Sequence, residues 1–118
     1  MRIISYSRMW PKLKQPIHTT FRFPRKDAPK GRDWHGGEEV QEYFKSRSPE
    51  RQFIQIAKII KKEAKLICQI TEEEAIEDGF DGQASMYEFL GNPHAETIIN
   101  KLTLKKGITN SLEYLIPF

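Results

Sequence analysis

With 118 residues, 38% hydrophobic and 30% charged, the chain has the composition of one globular domain with a single modest core rather than of a disordered segment. No apolar run nears the roughly 20 residues of a membrane span. The start MRIISYSRMWPK lacks the apolar stretch and small-residue site of a signal peptide, and the single cysteine, Cys68, excludes an internal disulfide, so a reducing cytoplasm is expected. The net charge of +3 hides an asymmetry: residues 1–32 hold nine Lys or Arg against one acid, a balance of +8, and residues 33–118 hold ten against fifteen, a balance of −5. Such a basic segment either attracts phosphate with salt-dependent affinity or is a solvated face offsetting the acidic half.

In chain order, Arg2–Ser7 alternates β-branched and aromatic residues and predicts a first strand. Trp10-Pro11 breaks it, and Lys12–Pro16, including Lys14, is a basic connection in which Pro16 holds Gln15 extended. His18–Phe23 predicts a second strand, with Thr19, Phe21 and Phe23 on one face and His18, Thr20 and Arg22 on the other. Arg25–Gly37 reads as a loop, since Pro29, Gly31, Gly36 and Gly37 leave little room for regular structure. It carries Arg25, Lys26, Lys30 and Arg32 beside Trp34 and His35. Cations that track phosphates and a ring that stacks on a base are how single-stranded RNA is held; the plainer reading of Trp34 is a hydrophobic plug. Glu39–Lys45 predicts a third strand and Ser46–Glu50 a turn.

Residues 51–69 admit two readings. Phe53, Ile56, Ala57, Ile60, Ala64 and Ile67 follow helical spacing, and Ser48-Pro49-Glu50 makes a sound helix start. Isoleucines at 54, 56, 59 and 60 also suit a strand. Cys68, in this apolar run, is expected to be an inert core residue. Thr71 and Glu74 then form a capping box, with Glu72–Glu74 at the positive end of the helix dipole. Gly79 ends that helix in a left-handed conformation, Phe80 turns inward, and Asp81 is expected to cap a second helix to about Leu90. Lys101–Lys105 reads as a strand, Gly107–Ser111 as a turn and Leu112–Ile116 as a candidate last strand.

His18, His35, His94 and Cys68 lack zinc-type spacing, so no metal is expected. No cofactor is expected either: Gly36-Gly37 matches neither phosphate-loop pattern, and there is no local signature of a serine or cysteine nucleophile.

Three stretches together resemble the ASCH-domain family of the PUA-like superfamily: Ile70-Thr71-Glu72-Glu73-Glu74-Ala75-Ile76-Glu77-Asp78-Gly79-Phe80, the segment His18-Thr19-Thr20-Phe21-Arg22-Phe23-Pro24-Arg25 as the family's Thr-x-Arg strand, and Trp34-His35-Gly36-Gly37-Glu38-Glu39-Val40-Gln41 as its Trp-x-x-Gly-acid-x-Val-Gln strand entry. Their order and spacing fit from about residue 12 to residue 90. The resemblance implies one domain over 1–118, mainly β (α+β): a PUA-like mixed β pseudobarrel of about five or six strands with two short helices. It turns 51–69 into strands, bent near Lys61–Glu63.

The resemblance also implies a cleft between barrel and helices that holds RNA or a nucleotide. The expected binding residues are Lys12, Lys14, His18, Thr20, Arg22, Arg25, Lys26, Lys30, Arg32, Trp34 and Asp78. For several of these a plainer role is open: Thr20 is a good β-former, and Arg22 and Asp78 suit a structural ion pair. Some family members hydrolyse acetylated cytidine with a lysine, a threonine and an acid. The threonine and acid fall on Thr20 and Asp78, the catalytic candidates, but the lysine position falls on Ile17, which supplies neither base nor amine. Ribonuclease activity is attributed to other members, for which His18 and Tyr43 are conceivable bases. The expectation is an RNA-binding domain, with a hydrolase in the same cleft as the alternative and a protein partner in RNA metabolism as a third reading.

Overall fold

The computed structural model describes residues 2–24 and 33–107. Five strands form one mixed sheet: β1 (Arg2–Tyr6), β2 (Ile17–Arg22), β3 (Glu39–Phe44), β4 (Gln52–Leu66) and β5 (Ile98–Lys106), in the order β1-β3-β4-β5-β2. Only β1 and β3 run parallel; β3–β4, β4–β5 and β5–β2 are antiparallel. The backbone pairings do not close into a barrel, so β1 and β2 are the two edges. A short 3-10 helix, Pro11–Lys14, links them, and two helices, α1 (Glu72–Asp78) and α2 (Gln83–Phe89), lie between β4 and β5 in the chain.

Residues 52–66 are one long strand. Ala57 and Ile59 are fully buried, while Phe53, Ile56 and Ile60, which helical spacing places on the same buried face, are 39–50% exposed. A period of two thus governs this stretch. The first half of β4 pairs with β3 and the second with β5, and the register shifts between Ile59 and Lys61. The irregularity thus falls at Ile60, just before the bend expected at Lys61–Glu63, and it lets one strand serve two neighbours.

The sheet has apolar side chains on both sides. On one, Ile4, Tyr6, Leu13, Trp34, Val40, Ala57, Ile59, Leu102 and Leu104 form the larger cluster. On the other, Phe21, Ile67, Ile70, Ala75, Met86 and Ile99 join the helices to β2 and β5. Phe80 packs against both clusters. Phe21 and Thr20 are both buried although they alternate along β2, because β2 has core on each side.

The α1 cap forms as the sequence predicts: Thr71 Oγ1 accepts from the Glu74 amide, and Glu74 accepts from the Thr71 amide. Gly79 has φ +113°, and a Cβ there would lie 2.8 Å from the Trp10 ring, so glycine is needed for both conformation and space. Asp81 does not cap α2. Gly82 occupies the cap position, the Ser85 hydroxyl accepts from the Asp81 and Gly82 amides, and Glu72 reaches over from α1 to accept from the Gln83 amide at 2.6 Å. Cys68 is exposed rather than in the core: it lies in a 3-10 turn at the end of β4, where only Ile67 faces inward. The candidate strand Leu112–Ile116 lies outside the described residues. Among the described residues no helix is long and apolar enough to cross a membrane.

Candidate functional site

The edge strands approach each other across the Arg22 side chain. Its Nη1 donates to the Ser5 carbonyl of β1 at 2.9 Å, and its Nε donates to Thr20 Oγ1 at 3.2 Å. The guanidinium lies over the Tyr6 ring, 4.9 Å from the centroid. Arg22 is half-buried, and among the described residues it forms no salt bridge. A pinned cation held only by neutral acceptors keeps its charge available to a ligand.

Beside it lies a cavity of about 200 Å³. Tyr6, Trp10, Phe80, Met86, Phe89 and Leu90 give it aromatic and apolar walls, and Ser5, Ser7, Thr20, Arg22 and Asp78 supply polar groups. Trp10 meets Phe80 and Phe89 edge-on, at centroid distances of 5.1 and 5.9 Å. Arg8 caps this cluster from outside, 5.0 Å from the Trp10 centroid and 5.1 Å from that of Phe89.

Asp78 forms the far wall, at the C-terminal end of α1 and 4% exposed. Its Oδ1 accepts from Lys12 Nζ at 2.9 Å and, at 3.4 Å, from Thr19 Oγ1. Lys12 Nζ also donates to the Thr19 carbonyl at 2.7 Å. The structural ion pair of Asp78 is therefore with Lys12 and not with Arg22, the plainer role left open for those two residues, and both side chains of the pair are under a tenth exposed. Burial pushes the Asp78 carboxyl above its ordinary range, against the opposing pull of Lys12. Burial likewise pushes the Lys12 ammonium below its ordinary range despite Asp78. Desolvation outweighs attraction for both partners.

Behind the Tyr6 wall, the Tyr6 hydroxyl donates to Glu42 Oε2, and His18 Nε2 lies 2.8 Å from the same oxygen. Gln55 Nε2 donates to Glu42 Oε1 at 2.8 Å. Glu42 is fully buried. Burial pushes its carboxyl up, but the bonds from His18, Tyr6 and Gln55 outweigh this and hold it below the usual range. Since a carboxylate only accepts, Nε2 of His18 carries the proton; Nδ1 has no partner among the described residues.

The expected site residues thus part company. Thr20, Arg22 and Asp78 line one cavity. His18 shares the Thr20 and Arg22 strand but is 4% exposed and turned onto Glu42, so it does not reach the cleft. Trp34 is 6% exposed within the larger core cluster, with Arg2 over its ring, which is the plug reading rather than a stacking surface. Lys14 is exposed, outside the cavity lining. Tyr43 packs edge-on against Phe53 and lines no part of the cavity. Arg25, Lys26, Lys30 and Arg32 lie outside the described residues.

Sequence reasoning missed Tyr6, Trp10, Phe80 and Phe89 as cavity walls and Lys12 as the partner of Asp78. Glu42 was legible in principle, because period two puts it on the inward face with Val40. No group of three metal-ligating side chains occurs among the described residues. Comparisons with family models, curated proteins and solved structures return no match.

Proposed function

We propose that the chain is an ASCH-like, PUA-like RNA-binding domain of the cytoplasm, in which the cleft between the sheet and the short helices holds RNA or a nucleotide. The observation that carries this reading is Arg22: a half-buried guanidinium, fixed by Ser5 and Thr20, without a salt bridge among the described residues, at the rim of an aromatic cavity. The cation suits a phosphate, and the rings suit a base. The gap between β1 and β2, bridged by a side chain, supports a pseudobarrel whose seam is the binding cleft.

Binding of a fluorescent single-stranded RNA oligonucleotide, followed by anisotropy, should weaken with salt. About three phosphate contacts imply a log–log slope of about −2. Arg22→Ala should cost about tenfold or more in affinity, a charge-assisted contact being worth about 1.5–3 kcal/mol. Salt-independent affinity, or an unchanged Arg22→Ala variant, defeats the reading.

A second reading, hydrolysis of an amide or phosphodiester in the same cleft, is favoured by Lys12. The matching position Ile17 is 53% exposed, but Lys12 comes in from another element and meets Asp78 beside Thr19. A lysine whose pKa is lowered by burial is the kind that serves as base or nucleophile. Product from acetylated cytidine or from RNA, abolished by Lys12→Met and by Asp78→Asn, would replace the binding reading with this one. A protein partner that survives nuclease treatment in pull-down would favour an interaction module instead.

A further inference from the structure

The cavity adjoins a second, wider groove of about 680 Å³, and the two share Ser5, Tyr6, Ser7 and Arg22. The groove continues along the turn after β3, where Lys45 and Arg47 join Arg22. Among the described residues no acidic side chain lines it, and the turn brings hydroxyl groups as well, Ser46 and Ser48. The turn is fastened to β1: the Ser46 amide donates to Ser5 Oγ at 3.0 Å, and the Lys45 amide donates to the Tyr6 carbonyl at 2.9 Å. Lys45 sits at φ +45°, so the chain reverses there and places residues 45–48 beside the cleft.

We propose that this groove is the phosphate subsite of a nucleotide whose base occupies the aromatic cavity. The inference rests on the RNA or nucleotide reading above and sharpens it: the unit recognised is a phosphorylated nucleotide, not a free nucleoside. Arg22 stands at the junction and serves both halves. Its Nε and Nη1 are used by Thr20 and Ser5, whereas Nη2 makes no hydrogen bond among the described residues. Lys45 and Arg47 supply charge farther along. The Lys45 contact with Glu50, at 3.0 Å, joins side chains 41% and 69% exposed; a solvated pair of that kind is weak and yields readily to a phosphate. The cavity, at about 200 Å³, has room for one ring system and not for a chain of nucleotides, so a longer RNA would leave one base inside and run its backbone over the groove.

The test uses the full chain with the four ribonucleosides, their 3′- and 5′-monophosphates, and phosphoserine as probes, with affinities from titration calorimetry. At least one monophosphate should bind about tenfold or more tightly than its nucleoside. The Lys45→Gln/Arg47→Gln double variant, both positions being exposed, should fold with an unchanged melting temperature and lose most of that preference. Arg51→Gln, one turn away and outside both linings, should keep it. Equal affinity for nucleosides and monophosphates overturns the phosphate subsite while leaving base binding in place. A double variant with the native preference overturns it as well. Phosphoserine bound as tightly as the monophosphates overturns the assignment of the cavity to a base. Failure of every probe, together with failure of RNA oligonucleotides, overturns the underlying reading itself.

Discussion

Two buried carboxylates lie near Tyr6, and the protein treats them in opposite ways. Glu42 receives Tyr6, His18 and Gln55 and is held below the usual carboxylate range. Asp78 receives Lys12 and a long contact from Thr19 and is pushed above it. Both are nearly inaccessible, so burial alone does not distinguish them. Satisfaction does: Glu42 has partners on both oxygens and lines neither the cavity nor the groove beside Arg22, whereas the hydrogen bonds of Asp78 go to Oδ1 on the rim of that cavity. A satisfied buried charge reads as architecture, joining β1, β2, β3 and β4 through one group. A buried pair whose two members are both driven toward neutrality contributes little to stability, and Asp78 lies beside the cavity to which the proposed function assigns the ligand.

The sharpest way to break this comparison is to remove Glu42. Glu42→Ala strands the Tyr6 hydroxyl, the His18 ring and the Gln55 amide in the core, and should cost about 3–5 kcal/mol in urea unfolding. Where that variant does not fold, Glu42→Gln, which keeps the volume, should cost about 1–3 kcal/mol. A loss under about 1 kcal/mol for either would show that the cluster is not the keystone described.

The Lys12–Asp78 pair should answer differently. Lys12→Met alone leaves Asp78 buried without its cation and should destabilise by about 3 kcal/mol, whereas Lys12→Met with Asp78→Leu should be neutral or stabilising, by up to about 4 kcal/mol. The same double variant should lose ligand affinity. A double variant as unstable as the Glu42 variant would place both carboxylates in one structural class and remove the distinction.

What the sequence made legible followed from local chemistry. The Thr71–Glu74 box, the Gly79 stop and the alternation of β1, β2 and β5 depend on neighbours within a few residues, and each is where the pattern puts it, to within a few residues at the ends. Residues 51–69 were ambiguous because apolar residues occupy both faces of β4: Ile56 and Ile60 stay exposed while Ala57 and Ile59 are buried, so helical spacing arises by accident. The Asp81 cap failed because Glu72, eleven residues earlier than Gln83, competes for the same amide. For the site, Thr20, Arg22 and Asp78 were visible as motif residues. Lys12 was visible only as a charge, since its pairing with Asp78 spans 66 residues and exists only once the 3-10 helix is laid against α1. Trp34 stands among basic residues in the sequence, but its place in the core is set by the sheet that surrounds it.

A third carboxylate extends the comparison toward solvent and gives the smallest effect. Glu74 Oε2 accepts from Lys65 at 2.6 Å and from Lys101 at 2.8 Å, tying α1 to β4 and β5, while its Oε1 closes the α1 cap. Partial burial pushes its carboxyl up, but the two lysines and the Thr71 amide outweigh this and hold it down, at about 2. A carboxylate whose folded pKa lies below its unfolded value, about 4.3, stabilises the fold above that value and loses the contribution as pH falls toward the folded one. Unfolding measured from pH 5 to pH 2 should therefore show a slope in the native protein that Glu74→Gln makes shallower, the remainder including the contribution of Glu42. Solvent screening limits the difference at neutral pH to about 1 kcal/mol. Equal slopes for the two proteins would mean that satisfaction by lysines does not separate Glu74 from an ordinary surface acid, and that only the fully enclosed Glu42 is held by its partners.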